Sequence, residues 1–215
     1  MSSRPVVFLG PSLPVSEAMA ILDADYRPPV KRGDVDPLLA QAPPAIGIID
    51  GEFFQSLAIS PKEVLRAIET GVPTFGASSM GALRAVELEP HGMVGVGEVF
   101  ERYRNGSVDA DDEVAVACSP EDHRPLSDAM INIRIALEQA AAAGMIGSRE
   151  CQRLIWMAKR TYFPERSYAN LWRKAAGRIP ESTLAPLRRY IAAHQPDAKR
   201  DDARLLLWRL AAIRS

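Results

Sequence analysis

Three short apolar runs without polar alternation constrain this chain more than any other feature: Pro5 to Leu9 (PVVFL), Ala45 to Ile49 (AIGII) and Val72 to Ala77 (VPTFGA). A strand wetted on one face alternates apolar and polar residues, whereas a strand covered on both faces reads as a continuous apolar run. Each run stops at a turn signature, Gly10-Pro11-Ser12, Asp50-Gly51 or Ser78-Ser79, and a helical pattern follows. Repeated strand, turn and helix imply parallel pairing through crossover helices. The expected fold is therefore α/β, a mostly parallel open sheet with flanking helices (a Rossmann-like core) followed by a helical C-terminal layer.

The helix signals fill in this frame. Helices are expected from about Ser16 to Asp23 and Pro37 to Gln41, with one short edge strand between Tyr26 and Asp36. Ser60-Pro61-Lys62-Glu63 is a strong helix start: Ser60 is the N-cap, proline takes the first helical position, and Glu63 completes a capping box. That helix runs to Thr70, and Leu83, Val86 and Leu88 return to helical period after Met80. Glycines 92, 95 and 97 read as a loosened stretch before a helix from Glu98 to Asn105, and Val114 to Cys118 reads as a further strand. Beyond Pro125 five helices are expected, at 127–143, 148–161, 167–176, 182–193 and 197–213, with proline or glycine at their junctions. The expected division is a core over 1–124 and a helical extension over 125–215 packed on it.

Bulk properties narrow the function. Lys plus Arg total 26 against 27 acidic residues, so nothing in the net charge recommends nucleic acid as a partner. No segment reaches the roughly 18 to 20 apolar residues of a membrane span, and no apolar leader precedes the first strand, so a cytoplasmic protein is expected. Cys118 and Cys151 are too few for a disulfide framework or a structural zinc site, and both are expected as buried thiols. Asp111-Asp112-Glu113 could ligate a metal but fits a solvated acidic loop better; neither metal nor cofactor is expected.

Ligands of an open parallel sheet bind outside the strand carboxyl ends, where the turns at Gly10, at Asp50 and Gly51, and at Ser78 gather. In the third turn Ala77, Ser79 and Gly81 have the spacing of a nucleophile elbow: a small residue two before the serine and glycine two after it. Ser79 would project into the crevice beside the backbone N–H groups of Met80 and Gly81, where a helix dipole can stabilise an oxyanion. Serine is equally favoured there simply as an N-cap. Histidines 91, 123 and 194 lie in separate segments, none with an orienting partner nearby. Lys62 is the better base, because the positive end of its helix disfavours a charged ammonium; it can also be an exposed lysine offset by Glu63. Arg84 can grip a carboxylate or thiocarboxylate with its forked guanidinium, or pair with Glu87 three residues on.

GASSMGALRAVEL followed by HGMVGVGEVFERYRNGSVDADDEVAV, preceded by IIDGEFF and SPKEVLRAIETGVPTFG, resembles the TfuA-like proteins. VVFLGPSLP and YRPPVKRGD fit the same pattern; the likeness is dense from Val6 to Ala117 and thinner beyond Pro125, where PLSDAMINIR and FPERSY continue it. The resemblance implies an accessory role beside YcaO enzymes, which activate a peptide amide with ATP during thioamide formation. It implies release of sulfide from a ThiS-like, ubiquitin-fold sulfur carrier ending in a thiocarboxylate, and help for YcaO in engaging its peptide. It also implies a serine and lysine centre, which falls by position on Ser79 and Lys62. The alternative is a non-catalytic adaptor that recruits carrier or peptide to YcaO, with Ser79 and Arg84 shaping a docking surface.

Overall fold

The computed structural model describes residues 4–53 and 57–213. Its strands are β1 (Val6–Phe8), β2 (Asp25–Arg27), β3 (Ile46–Ile48), β4 (Thr74–Ala77) and β5 (Val94–Val96). Its helices are α1 (Val15–Ile21), α2 (Asp36–Leu39), α3 (Pro61–Glu69), α4 (Met80–Leu88), α5 (Glu98–Arg104), α6 (Met130–Ala142), α7 (Ser148–Lys159), α8 (Tyr168–Ala175), α9 (Glu181–His194) and α10 (Ala198–Ile213). The chain divides into two compact units, one of residues up to 111 together with those from 199 on, the other of residues 112–198. This division differs from the expected one at 124/125, chiefly because the last helix belongs with the sheet.

The five strands are all parallel in the order β2-β1-β3-β4-β5, the open α/β sheet that the apolar runs demand. Every residue of β1, β3 and β4 is buried, as strands covered on both faces require, while the edge strands β2 and β5 are partly exposed. β5 runs against expectation, since its glycines read as loop. Gly95 is there for space: a Cβ at that position would lie 2.1 Å from the Phe100 ring, so only glycine lets α5 close onto this strand.

One helix contact is closer still. A Cβ on Gly81 would sit 1.8 Å from the Ile48 carbonyl oxygen, and one on Gly76 would sit 2.1 Å from the Gly81 carbonyl oxygen. Backbone therefore meets backbone where α4 crosses β3 and β4, and the Gly81 N–H donates to the Ile49 carbonyl at 3.3 Å.

The opposite face is covered by α1 and α10. Leu206, Leu207 and Leu210 of α10 join Val7, Phe75, Ala77 and Val96 in one buried cluster. Gly47 makes room for them, because a Cβ there would approach Leu206 and Leu210 to 2.9 Å each. Glu17 of α1 accepts from both Arg200 and Arg204 of α10. Asp202 of α10 then caps α5: its carboxylate accepts from the Glu98 and Val99 N–H groups at 2.8 Å each, over a Gly97 with φ of 96°. Asp202 is 4% exposed, and burial pushes its carboxyl up to about 7 against the two N–H bonds.

In the unit of residues 112–198, α6, α7, α8 and α9 enclose a core that includes Met130, Leu137, Leu154, Leu171, Leu184 and Ile191. Of the acidic turn, Asp111 is exposed, whereas the next two carboxylates are held by basic side chains. Asp112 pairs with Lys159 and, at 2.8 Å, with the buried Arg166; Glu113 accepts from Arg134 at 2.7 and 3.1 Å. Among the described residues no cluster of His, Cys, Asp and Glu has the arrangement to hold a metal. The expected strand from Val114 to Cys118 is reduced to one antiparallel bridge, Cys118 with Pro125. Proline supplies no N–H there, and the Ala117 N–H is taken by the Ser127 hydroxyl at 2.8 Å, so no ladder propagates. Cys151 is buried as expected and Cys118 only partly so. None of the described helices is long and apolar enough to cross a membrane.

Two outcomes follow. Gly81→Ala should lower the urea-unfolding free energy by about 2 to 3 kcal/mol, because the added methyl cannot enter without parting α4 from β3. The Asp202 carboxyl has a higher pKa folded than unfolded, so the folded state binds the extra proton; its contribution to stability should fall as pH rises from about 4 to 7 and level off above. Unfolding titrations across that range should show a slope on the order of 1 kcal/mol per pH unit, and Asp202→Asn should flatten it.

Candidate functional site

The carboxyl ends of β1, β3 and β4 assemble the site, and each arrives there through its own turn. Strand order reverses between β1 and β3, the switch point outside which open α/β sheets hold ligands. In this chain that point is occupied by Asp50. Its Oδ2 accepts from the Gly10 and Ser12 N–H groups at 2.9 and 3.0 Å, and its Oδ1 accepts from the Ser12 hydroxyl at 2.6 Å. The Gly10-Pro11-Ser12 turn thus presents donors where an anion could sit, and a side chain 1% exposed fills the place. Gly51 follows and packs on α4: a Cβ there would lie 2.6 Å from Met80 Cγ. Gly10, Asp50, Gly51 and Met80 are therefore contiguous.

At the third turn the Ser79 N–H donates to the Ala77 carbonyl at 2.7 Å, which makes Ser78 the central residue of a γ-turn with φ of 64°. A serine held in that left-handed conformation costs about 1 kcal/mol or more. The turn is secured by the Ser78 hydroxyl, which donates to the Lys199 carbonyl at the start of α10. Ser78 is fully buried, so its polar group is spent on the scaffold.

Ser79 occupies the N-cap position of α4 yet its side chain makes no capping hydrogen bond. The hydroxyl has no partner among the described residues, and Ser79 is 3% exposed. Of the two expected oxyanion donors, the Gly81 N–H is committed to Ile49, while the Met80 N–H has no acceptor among the described residues. The elbow therefore offers an unbonded hydroxyl and one unbonded N–H on adjacent residues at the positive end of a helix.

Lys62 lies in the first turn of α3, exposed, and its own N–H donates to the Ser60 hydroxyl at 3.3 Å, which confirms Ser60 as the cap. The other half of the capping box does not form. Glu63 is 2% exposed and instead accepts from the Gly33 and Val35 N–H groups at 2.8 and 3.2 Å, fastening the loop before α2 onto α3. Arg84 of α4 donates from Nε to the Ile59 carbonyl at 3.0 Å and pairs through Nη1 with both Glu87 oxygens at 2.7 and 2.8 Å. It joins the middle of α4 to the residue just before the Ser60 cap, so the helix bearing Ser79 is tied to the start of the helix bearing Lys62. The Lys62 amine and the Ser79 hydroxyl are not hydrogen-bonded to each other. Among the histidines, His91 lies beyond the far end of α4 from Ser79. The ring of His194 stacks on Tyr190, its Nδ1 2.8 Å from the Tyr190 carbonyl.

Two parts of the site carry no sequence signal of their own: the Ser12 hydroxyl, which bonds Asp50, and the Lys199 carbonyl, which receives Ser78. Ser78→Ala should lose about 1 kcal/mol of stability with the buried hydrogen bond. Ser78→Gly loses the same bond but relaxes the positive φ, so its melting temperature should lie above that of Ser78→Ala.

Among curated proteins, none matches this chain. A family profile does, that of the TfuA-like proteins, over residues 50–167, from the aspartate that fills the switch point to the N-cap of α8. The match spans more than half of the 215 residues and contains the whole Ser79 elbow, so the chain belongs to the TfuA-like protein family.

Proposed function

We propose that this protein serves a YcaO enzyme in peptide thioamidation by hydrolysing a thiocarboxylated, ubiquitin-fold sulfur carrier, with Ser79 as nucleophile and Lys62 as base. Membership of the TfuA-like family carries the role beside YcaO in thioamidation. The uncapped Ser79 carries the chemistry: a serine in an N-cap position normally spends its oxygen on the helix, and this one does not. Its hydroxyl stays available beside the Met80 N–H.

In the proposed sequence the Lys62 amine accepts the Ser79 proton as Oγ attacks the carbonyl carbon of the carrier's terminal thiocarboxylate. The Met80 N–H stabilises the oxyanion of the tetrahedral intermediate. The C–S bond breaks and sulfide leaves with the bonding pair; water then cleaves the acyl-enzyme ester, returning the carrier as a carboxylate and Ser79 as the alcohol. Lys62 is exposed and not bonded to Ser79 in the free protein, so this sequence requires the two to meet when the carrier binds. Gly10, Asp50, Gly51 and Ser78 shape the crevice rather than donate to the substrate, since the polar groups of Asp50 and Ser78 are already bonded. Arg84 reads the substrate thiocarboxylate only by giving up Glu87.

The burial of Ser79, 3% exposed, favours a second reading in which the protein is an adaptor that brings carrier or peptide to YcaO without chemistry of its own. Sulfide release from a thiocarboxylated carrier, followed with carrier mass, separates the two. Hydrolysis predicts a loss of about a hundredfold or more in Ser79→Ala and in Lys62→Ala. Sulfide release at the wild-type rate in both variants, with YcaO binding its peptide more tightly in their presence, would establish the adaptor.

A further inference from the structure

Helix α7 carries a feature that sulfide release does not use. It buries Cys151, Leu154, Ile155 and Ala158. Its opposite side presents Arg149, Gln152, Arg153 and Trp156, followed by Arg160 just past its end, all exposed, at positions i, i+3, i+4, i+7 and i+11. The stripe is about 16 Å long at the rise of an α-helix. Trp156 is 58% exposed, and the Arg160 guanidinium lies 4.9 Å from its ring centroid. Along this side runs a groove of about 500 Å³, with Met157 and Arg178 completing its lining.

The arginines of this groove and the neighbouring Arg160 form no ion pair among the described residues. Elsewhere in the same unit Arg134, Arg166 and Arg188 each pair with a carboxylate. Arg149, Arg153, Arg160 and Arg178 have no acidic partner among the described residues. A nearly neutral chain has thus left four arginines unpaired around one exposed tryptophan.

We propose that this face of α7 docks an acidic peptide segment of a partner protein, with carboxylates along the arginine stripe and an apolar side chain against Trp156 and Met157. Guanidinium forks suit carboxylates, and an aromatic flanked by arginines is the usual composition of a binding hot spot. The linear spread of charge fits an extended segment better than a compact anion. A single-stranded nucleic acid would call for successive aromatic platforms, and this face has one. The site is independent of the Ser79 chemistry.

The test is fluorescence anisotropy on the full chain with a labelled eight-residue peptide of alternating acidic residues carrying one leucine and one phenylalanine. An oligothymidylate of equal charge serves as the competing probe. Peptide affinity should fall about tenfold in R149E/R153E and about fivefold in Trp156→Ala. It should be unchanged in Arg209→Glu, whose site is exposed on α10, and the oligothymidylate should bind at least tenfold more weakly. The proposal is overturned if the peptide fails to bind at millimolar protein, if R149E/R153E binds as wild type, if Arg209→Glu loses as much, or if the oligothymidylate binds better. Should R149E/R153E fail to fold, hydrogen exchange on the wild type decides: peptide-induced protection over residues 148–160 supports the site, and its absence overturns it.

Discussion

Everything at the candidate site depends on the contact of α4 with bare backbone. Gly76 on β4 and Gly81 on α4 allow the helix to lie on the sheet at a separation that no side chain would permit. The contact fixes where α4 begins, and so where Ser79 stands relative to the ends of β3 and β4. It also allocates the first N–H groups of the helix: that of Gly81 goes to Ile49, and that of Met80 is left over. A single packing decision therefore places both the proposed nucleophile and its oxyanion donor.

The second determinant is the aspartate at the switch point. Open α/β sheets offer an anion site there, and this chain occupies its own with the carboxylate of Asp50. The arrangement rigidifies the turns after β1 and β3 and removes their donors from competition for a substrate. The unbonded donors are left at the neighbouring turn after β4, in the Ser79 hydroxyl and the Met80 N–H. The same economy recurs in Glu63 and Asp202, each a buried carboxylate that secures two backbone N–H groups far away in the chain.

The parallel sheet is legible in the sequence because β1, β3 and β4 are covered on both faces and so contain almost no polar residues. The elbow is legible because its close packing admits only small residues at fixed spacing. Features that depend on partners distant in sequence are not. β5 is written in glycines whose purpose is the Phe100 ring, and Val114 to Cys118 has the composition of a strand but faces Pro125. Glu63 has the spacing of a capping box but is drawn to the loop at Gly33. The amphipathic pattern of α10 says that one face is buried, not against what. Its leucines fit a helical layer on pattern alone, and they belong to the sheet.

The bond between the Ser78 hydroxyl and the Lys199 carbonyl spans 121 residues of sequence. A chain emerging from the ribosome could pair β1, β3 and β4 early, yet the strained turn at Ser78 would lack its clasp until α10 had been synthesised. Contacts of such sequence separation form late and slowly. The elbow thus becomes rigid only once the chain has been made through the start of α10, and a nascent fragment that already contains Ser79 would not yet hold it in its final conformation.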